Sequence, residues 1–473
     1  MDHKKFYIDG AWVAPVIPHT FAVENPATEE IVTEISLGSA TDVDRAVNAA
    51  KAAFPGWAAT PLAERRVLVE RLLTIYKARY EEMAQAITTE MGAPISMSRA
   101  QQADTGVGHV EGFLGALDAM EWEWTLPNGD TLMREPIGIV GLITPWNWPM
   151  NQIALKVIPA LLTGCTCVLK PSEIAPLSAM LYAEMIHEAG FPAGVFNLVN
   201  GDGPEVGSAI SRHPDIAMMS FTGSTRAGTA VTRDSAETVK RVTLELGGKS
   251  PNLVFADCDL DAQVAASVAE CMNNTGQSCD APTRLIVERS VYDKTVALAQ
   301  AAAKGTVVGD PTQEGDHIGP LVSAVQWGRV QDLIQSGLDE GARLIVGGPG
   351  KPEGINRGHY ARPTVFADVT PEMRLWREEV FGPVLVITPF EDEIHAIALA
   401  NDTPYGLAAY VQTGDPVRAR RVAKALRAGM VHLNGAPHNY GSPFGGYSQS
   451  GNGREGGLLG LEDFTEIKAV HGL

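Results

Sequence analysis

The spacing of apolar and polar residues changes character along this chain, and each change predicts an element. Ile8-Asp9-Gly10-Ala11-Trp12-Val13 and Phe21-Ala22-Val23-Glu24-Asn25-Pro26 are short strand-like runs with turns between them. Helical spacing takes over at Thr41. Val43, Ala46, Val47 and Ala50 form one apolar stripe, Asp42 and Asp44 occupy the first turn, and Thr41 is the expected cap. A second helix is predicted from Thr60-Pro61, with proline in a first-turn position, to Met91, where Gly92 and Pro94 close it. More helical sequence follows from about Ile95 to Met120.

Glu121 to Pro136 differs in character. It carries Trp122 and Trp124, a turn at Asn128-Gly129 and then Thr131 to Pro136, and it reads as a hairpin. Phe464 to Val470 alternates in the manner of an edge strand. These peripheral strands are available to pair with a neighbouring subunit.

From Gly138 the pattern becomes strand, helix, strand, helix. Ile139–Ile143, Val168–Lys170, Val195–Val199, Ala217–Phe221 and Val242–Leu246 are predicted strands, and Pro176–Ala189 is a helix ended by Gly190 and Pro192. That alternation implies a largely parallel sheet wrapped by helices. A second series follows: Asn252–Phe255, Leu285–Val287, Leu344–Val346, Val384–Ile387, Ala408–Val411 and Val431–Leu433, with helices such as Asp392–Ala400 and Pro416–Arg427 between them. The chain is therefore α/β, with a second α/β domain after the first. Gly347 to Gly358 reads as a surface loop.

Bulk numbers narrow the class. At 473 residues the chain exceeds one typical core, so two or three domains are expected. A hydrophobic fraction of 45% and a charged fraction of 20% describe an ordinary soluble globular protein. The net charge of -19 argues against general binding to nucleic acid or anionic membranes, and leaves a small ligand open. Ile153 to Leu169, the most apolar stretch, is interrupted by Lys156, Pro159 and Gly164 and is too short to span a bilayer. Met1 to Gly10 has no apolar core of the signal-peptide kind. The five cysteines, Cys165, Cys167, Cys258, Cys271 and Cys279, are few for this length and fit a reducing cytosol, so a cytoplasmic location is expected. Cys165-Thr166-Cys167 lacks partners at ligand spacing and reads as apolar filler; no metal site is expected.

One cysteine stands apart. A helix is predicted from Asp261 towards Asn274, with Val264, Val268, Cys271 and Met272 facing a core. Gly276 breaks it, and Cys279 follows among polar neighbours Gln277, Ser278 and Asp280, which implies a reachable thiol. Gly276 and Gln277 read as a flexible lead-in. A reachable cysteine on a turn is a candidate nucleophile, although a lone loop cysteine is more often structural.

The strand ends decide between these readings, because ligands bind there in open α/β sheets. They carry Thr144-Pro145-Trp146-Asn147-Trp148-Pro149, Lys170-Pro171-Ser172-Glu173, Phe221-Thr222-Gly223-Ser224-Thr225, Leu244-Glu245-Leu246-Gly247-Gly248-Lys249 and Gly276-Gln277-Ser278-Cys279. In order and wording these resemble the NAD(P)-dependent, non-phosphorylating aldehyde dehydrogenase superfamily. The resemblance continues through Glu378-Glu379-Val380-Phe381-Gly382-Pro383 and Pro443-Phe444-Gly445-Gly446-Tyr447, and covers essentially the whole chain. It implies two doubly wound α/β domains plus a small β oligomerisation element. Residues 1–120 and 137–247 would form the dinucleotide-binding domain, 248–447 the catalytic domain, and 121–136 with 448–473 the bridging element of a homodimer or homotetramer.

Roles follow from the resemblance and from the residue types. Oxidising an aldehyde with water needs a soft nucleophile, removal of hydride to a nicotinamide and hydrolysis of a thioester. Cys279 suits the first step, given a base or local positive polarity. Glu245 closes an apolar strand, where burial raises a carboxyl towards the range of a general base; by resemblance it activates the hydrolytic water. A salt-bridged structural Glu is the competing reading. The Asn147 amide can donate to an oxyanion together with the Cys279 backbone N–H, unless it merely makes a turn.

By resemblance Lys170 and Glu173 hold the adenosine ribose, with Ser172 beside them. A Glu there repels a 2′-phosphate, which favours NAD, with NADP as the alternative. Phe221, Thr222, Gly223 and Ser224 lead into a helix whose N-terminus can meet a pyrophosphate. Gly201-Asp202-Gly203 is not a dinucleotide fingerprint but a turn expected near the adenine. Thr144, Pro145, Trp146, Leu246 and Gly247 complete the expected cofactor surface, and Glu379 and Phe381 resemble contacts to the nicotinamide-side ribose and ring.

Two departures matter. Trp148 stands where the family often has Phe and narrows the presumed substrate path; Ser448 stands where Lys is common. The expected substrate lining is Trp148, Asn151, Gln152 and Leu155 on one side and His438, Asn439 and Tyr440 on the other, with Asp280 beside the nucleophile and expected to point away from it. Several of these are polar, which implies a medium-sized aldehyde with a polar or aromatic part. The competing readings are a CoA-acylating dehydrogenase, which Glu245 disfavours, and a binding protein on the same fold without turnover.

Overall fold

The structure is a computed structural model that describes residues 2–473. Its first sheet runs, edge to edge, through Gly451–Asn452, Arg241–Glu245, Met218–Thr222, Ile139–Ile143, Thr166–Lys170, Phe196–Leu198, Phe6–Ile8 and Ala11–Val13. The strands from Arg241–Glu245 to Phe196–Leu198 are parallel. Chain order runs outward from Ile139–Ile143 in one direction, then returns to its other side at Met218–Thr222. That reversal leaves a crevice at the carboxyl ends of those two strands, the usual ligand position in such sheets.

The helix Pro149–Thr163 explains why the sequence here is so apolar. Every residue in it except Asn151 is buried, because the sheet covers one side and other helices cover the rest. No helix among the described residues is long and apolar enough to cross a membrane.

The second sheet runs Arg343–Val346, Thr364–Ala367, Val384–Phe390, Arg284–Glu288, Pro251–Val254, Ala408–Gln412 and Met430–Leu433, parallel except at its first pair. Thr364–Ala367 was not predicted: it is a four-residue strand just after Arg362-Pro363, too short to show a period. A third sheet joins Thr465–Val470, Thr131–Pro136 and Glu123–Thr125. The hairpin and the C-terminal strand thus pair with each other inside one chain, and each end of this sheet keeps a free edge.

Some local expectations are corrected. The first helix begins at Ala40 and its cap is Ser39, not Thr41; the buried Asp42 carboxylate accepts from the Ser39 N–H at 3.0 Å and hydroxyl at 2.9 Å. The predicted helix to Met91 is two, Leu62–Ala78 and Tyr80–Met91, broken at Arg79 (φ -105, ψ 21) with no Gly or Pro to announce it. Ile95 to Met120 contains a π-helical turn at Ser98–Gln102 before the helix Ala103–Ala116. Gly451–Asn452, read as part of the bridging element, instead adds an antiparallel edge to the first sheet beside Glu245.

The second sheet is tied together by one buried cation. Arg284 is fully buried and donates to the carbonyls of Lys249 (2.8 Å), Leu399 (3.0 Å) and Ala400 (2.8 Å), with its guanidinium 4.5 Å above the Trp376 ring. It therefore satisfies carbonyls at the end of the helix Glu393–Asn401 and at the loop following Gly248. Arg284→Met leaves these acceptors buried without a donor, which costs about 3 kcal/mol. The expected result is a thermal-unfolding midpoint lowered by about 5 °C or more, followed by circular dichroism. An unchanged midpoint would mean that the carbonyls find another donor.

Candidate active site

A cavity of about 220 Å³ opens at the carboxyl ends of the first sheet and is closed from the other side by loops of the second. The loop after Ile139–Ile143 contributes Pro145, Trp146 and Asn147. The strands Met218–Thr222 and Arg241–Glu245 and the turns after them contribute Thr222, Gly223 and Ser224, then Glu245, Leu246 and Gly247. Cys279, Glu379 and Phe381 face them. Residues separated by more than two hundred positions in sequence thus meet around one space.

The Cys279 loop is clamped, not flexible. The helix Leu260–Met272 ends in three consecutive left-handed residues, Asn274 (φ 51), Thr275 (φ 58) and Gly276 (φ 72). A β-branched residue at positive φ is held only by its surroundings, here a hydrogen bond from the Thr275 hydroxyl to the Gly319 carbonyl at 3.1 Å. Gln277, expected to be part of a loose lead-in, is fully buried; its Oε1 accepts from the Val322 N–H at 2.9 Å and its amide donates to the Asn274 carbonyl at 3.1 Å. This strut presents Cys279, partly exposed, to the cavity. Burial raises its thiol well above the ordinary value, and the carboxyls of Asp280, Glu379 and Glu245 add to the effect.

Asn147 is 4% exposed, and one of its amide hydrogens goes to the Gln277 carbonyl at 3.0 Å. Its backbone carbonyl accepts from the Gln102 and Asn274 side chains, each at 2.9 Å. The residue is therefore held by its backbone and by one side-chain N–H, with the second side-chain N–H still available, and the Cys279 backbone N–H lies against its own thiol. Next door, the Trp148 indole N–H donates to the Ser278 hydroxyl at 2.8 Å.

Glu245 is 2% exposed, and neither of its carboxyl oxygens has a hydrogen-bond partner. Burial, with Glu455 nearby, raises it well above the usual carboxylate range. Glu455 itself pairs with the fully buried Lys156, whose ammonium also donates to the Thr222 hydroxyl at 2.7 Å. An ion pair buried this deeply fixes the neighbourhood of Glu245 without touching it.

The far end of the cavity fits a nucleotide. Ser224 caps the helix Thr225–Ser235, accepting from the Ala227 N–H at 3.3 Å, so that helix N-terminus faces the crevice. Gly247 is crowded: a Cβ there would lie 2.2 Å from the Glu379 carboxyl, which accepts from the Gly248 N–H at 3.0 Å. Burial pushes Glu379 up to about 7. Lys170 is buried and donates to the carbonyls of Pro171 (3.0 Å) and Gly201 (2.5 Å), with Glu173 at 3.4 Å. Ser172 is buried beside them and accepts from the Ile174 N–H, and Gly203 lies exposed in the neighbouring turn. Thr144 is buried with its hydroxyl unpartnered. Sequence reasoning missed Gln326 and Arg329. Both line the cavity, and Gln326 donates to the Phe381 carbonyl at 2.8 Å, holding that residue at φ 56. They come from a helix with no motif of its own, and only their spatial position reveals them.

Residues 12–470 match the profile of the Aldehyde dehydrogenase family. The chain belongs to that family. It is 53% identical, over 100% of its own length and 99% of the relative's, to a 3-succinoylsemialdehyde-pyridine dehydrogenase of a Pseudomonas species. Among solved structures it is similar to aldehyde dehydrogenase C of Pseudomonas syringae, a Cys-to-Ala variant in complex with NAD+ and octanal (51% identity, TM-score 0.98, 99% of this chain and 96% of that one). It is also similar to betaine aldehyde dehydrogenase of Staphylococcus aureus in complex with NAD+ (35% identity, TM-score 0.96, 99% and 94% covered). As an aldehyde dehydrogenase it is an NAD(P)-dependent oxidoreductase that takes an aldehyde to the acid.

The presumed substrate side of this aldehyde dehydrogenase is only partly as expected. Asn151 receives the His109 Nε2–H at 2.6 Å; burial drives that imidazole down to about 4 and keeps it neutral. Tyr440 packs edge-on to His109, with ring centroids 5.0 Å apart, and donates to Asp104 at 3.0 Å. Phe444 packs, like Cys279, against the cluster of Leu407, Ala408, Tyr410 and Met430, and lies edge-on to His438 at 5.8 Å. Phe444 was not foreseen there. Gln152 and Leu155 are 2% and 1% exposed; both are buried in the helix Pro149–Thr163 and line neither cavity around Cys279. Asn439 is exposed. Asp280 and His438 line a second cavity beside the Cys279 loop; its wall residue Tyr410 belongs to the cluster against which Cys279 packs.

The clamp makes a sharp prediction. A Cβ at Gly276 would lie 2.0 Å from the Gly382 carbonyl oxygen, at a backbone angle that side chains rarely adopt. Gly276→Ala is expected to displace Cys279 and to lower kcat at least tenfold at about unchanged cofactor affinity. Cofactor binding by fluorescence titration alongside steady-state kinetics checks this; wild-type kcat would refute the clamp.

Proposed function

We propose that the 220 Å³ cavity is the active site and that Cys279, Asn147 and Glu245 carry the reaction. The observation behind this reading is the Glu245 carboxyl, buried without a partner in the same cavity as the Cys279 thiol. Leaving a carboxyl so costs stability, and a water between it and an acyl group on Cys279 would use it. The thiolate attacks the aldehyde carbon, and the oxyanion takes hydrogen bonds from the free Asn147 N–H and the Cys279 backbone N–H. Thr222, Gly223, Ser224, Gly247, Glu379 and Phe381 would hold a nicotinamide cofactor, which would supply the hydride acceptor for the adduct. Glu245 then takes a proton from water, hydroxide adds to the thioester carbon, and collapse releases the acid and the thiol. A water-activating base also supports hydrolysis over transfer to coenzyme A.

The cofactor reading favours NAD. Lys170 is committed to two carbonyls and Glu173, so its charge is not free to offset repulsion between Glu173 and a 2′-phosphate. Residues 1–120 and 137–247, with the edge strand Gly451–Asn452, act as the dinucleotide-binding unit, 248–447 as the catalytic unit, and 121–136 with the rest of 448–473 as the bridging element. The free edges of its three-stranded sheet support a homodimer or a tetramer of dimers, and the sparse free cysteines support a cytoplasmic home. The relatives are named for a pyridine-bearing semialdehyde, octanal and betaine aldehyde. The polar pairs His109–Asn151 and Asp104–Tyr440 support a medium-sized substrate with a polar or aromatic part.

The mechanism fixes its own pH profile. Both the thiol and the Glu245 carboxyl are raised, and both must lose protons to act. Activity is therefore lost as pH falls, and kcat/KM is expected to climb about tenfold per unit on the alkaline side of neutrality before it levels. Cys279→Ala is expected to abolish turnover, and Glu245→Gln to give a burst of about one NADH per site followed by slow release. Stopped-flow absorbance at the NADH band checks both; a burst followed by wild-type steady-state turnover in Glu245→Gln would end its role as base.

Glu173→Gln tests the cofactor reading. It is expected to raise the NADP to NAD ratio of kcat/KM by about tenfold, mostly through KM. An unmoved ratio would detach Glu173 from cofactor choice.

A further inference from the structure

The second cavity beside Cys279 has no part in the chemistry above. It measures about 250 Å³, and Asp280 faces it one residue after the nucleophile. Glu270 and Ser267 come to it from the helix Leu260–Met272, Tyr410 and Gln412 from the strand Ala408–Gln412, and His432 from the strand Met430–Leu433.

Most hydrogen-bond donors of these walls are already spent. The Tyr410 hydroxyl donates to the Asp280 carbonyl at 3.1 Å, and the Gln412 amide to Asn252 Oδ1 at 3.0 Å. The Asn252 amide donates to the Ser267 hydroxyl at 2.8 Å, which donates on to the Gln263 carbonyl at 2.6 Å. His432 Nδ1 lies 2.9 Å from the Ala436 carbonyl, which can only accept, so Nδ1 is spent as a donor.

Acceptors are what remain. Gln412, 3% exposed, lines the cavity with its Oε1 unpartnered, and His432 Nε2 is buried without a partner as well. The Asp280 carboxyl stands beside them and Glu270 stands at the rim; no Lys or Arg is among the described lining residues. Buried acceptors without donors are costly, so the site is short of a donor and of positive charge. The Tyr410 and His432 rings stack at 4.8 Å and 16°, forming a flat aromatic surface of the kind cations favour. The volume of 250 Å³ exceeds the roughly 150 Å³ that takes a benzene ring, so there is room for a ring or a branched amine. Among the described residues no cluster of three or more carboxylates, imidazoles or thiols is gathered to hold a metal ion.

We propose that this cavity is the subsite for a cationic nitrogen group, a protonated amine, carried by the aldehyde substrate. The proposal rests on the aldehyde dehydrogenase chemistry at Cys279 and specifies what kind of polar part the substrate bears. An ammonium here donates to Gln412 Oε1 and His432 Nε2, pairs with Asp280 and Glu270, and lies against the Tyr410–His432 stack.

The test separates binding from turnover. Benzylamine, cationic at neutral pH, and benzyl alcohol, neutral and of nearly the same shape, are titrated into the full enzyme by calorimetry. Benzylamine is expected to bind at least about tenfold more tightly, and Glu270→Gln and Asp280→Asn each to remove most of that preference. In turnover, para-(dimethylaminomethyl)benzaldehyde is expected to exceed the isosteric para-isobutylbenzaldehyde in kcat/KM by about tenfold, with the ratio falling towards parity in Glu270→Gln. Equal binding of the two probes, or a preference that both substitutions leave intact, overturns the subsite. Turnover of both aldehydes without benzylamine binding likewise sinks the subsite while the dehydrogenase reading survives. Selective benzylamine binding by a protein that oxidises no aldehyde overturns both the dehydrogenase reading and the subsite's role in holding the substrate, and leaves only an amine-binding cavity.

Discussion

Everything at this site depends on how closely the strand ends of two sheets approach each other. The contacts are backbone to backbone. A Cβ on Gly248, just past the first sheet's strand Arg241–Glu245, would lie 2.5 Å from the Cys279 carbonyl, and among the second sheet's own loops one on Gly276 would strike the Gly382 carbonyl. A side chain at Gly248 would push the sheets apart and open the cavity to bulk water. Without one, a thiol from one sheet and a carboxyl from the other share a few hundred cubic ångströms. The glycines are thus requirements of proximity before they are requirements of conformation.

That proximity carries an electrostatic cost which the surroundings manage unevenly. Lys156 and Glu455 are buried as a pair, and Arg284 is buried with three carbonyls to satisfy it. Glu245 is buried with nothing. In the reading proposed above, Glu245 is the group that changes protonation state during the reaction, and a fixed partner would hold it in one state. The same contrast separates Asn147, clamped by three hydrogen bonds yet with one N–H left over, from an ordinary turn asparagine.

The sequence was legible where chemistry or periodicity is local. The strand-end motifs single out Asn147, Glu245 and Cys279, which the fold brings to one cavity, and most strands fall within a residue or two of their predicted bounds. It was silent where function arises from folding distant segments together. Gln326 and Arg329 lie in a stretch that looks like any helix, and Phe444 in one that looks like any loop; only the tertiary arrangement brings the first two to the cavity and Phe444 onto the cluster that Cys279 also packs against. The break at Arg79 escaped notice because its residues have good helix propensity, and packing, not local preference, turns the chain there. The tunnel assignment of Leu155 and Gln152 failed for a related reason. A helix buried on all sides has no face that sequence can mark as the one nearest a ligand.

The Cys279-Asp280 pair shows what a loop gains from being rigid. Neighbouring side chains point to different cavities, Cys279 into the one that holds Glu245 and Asp280 into the one lined by Tyr410 and His432. Asp280 still raises the thiol through space, so its charge is a cost to the nucleophile as long as nothing neutralises it. A cation seated against Asp280 would lift that cost at the moment the substrate arrives. The thiol would then ionise more readily in the occupied site than in the empty one, and the residue that appeared to burden the nucleophile would couple its activation to recognition of the substrate.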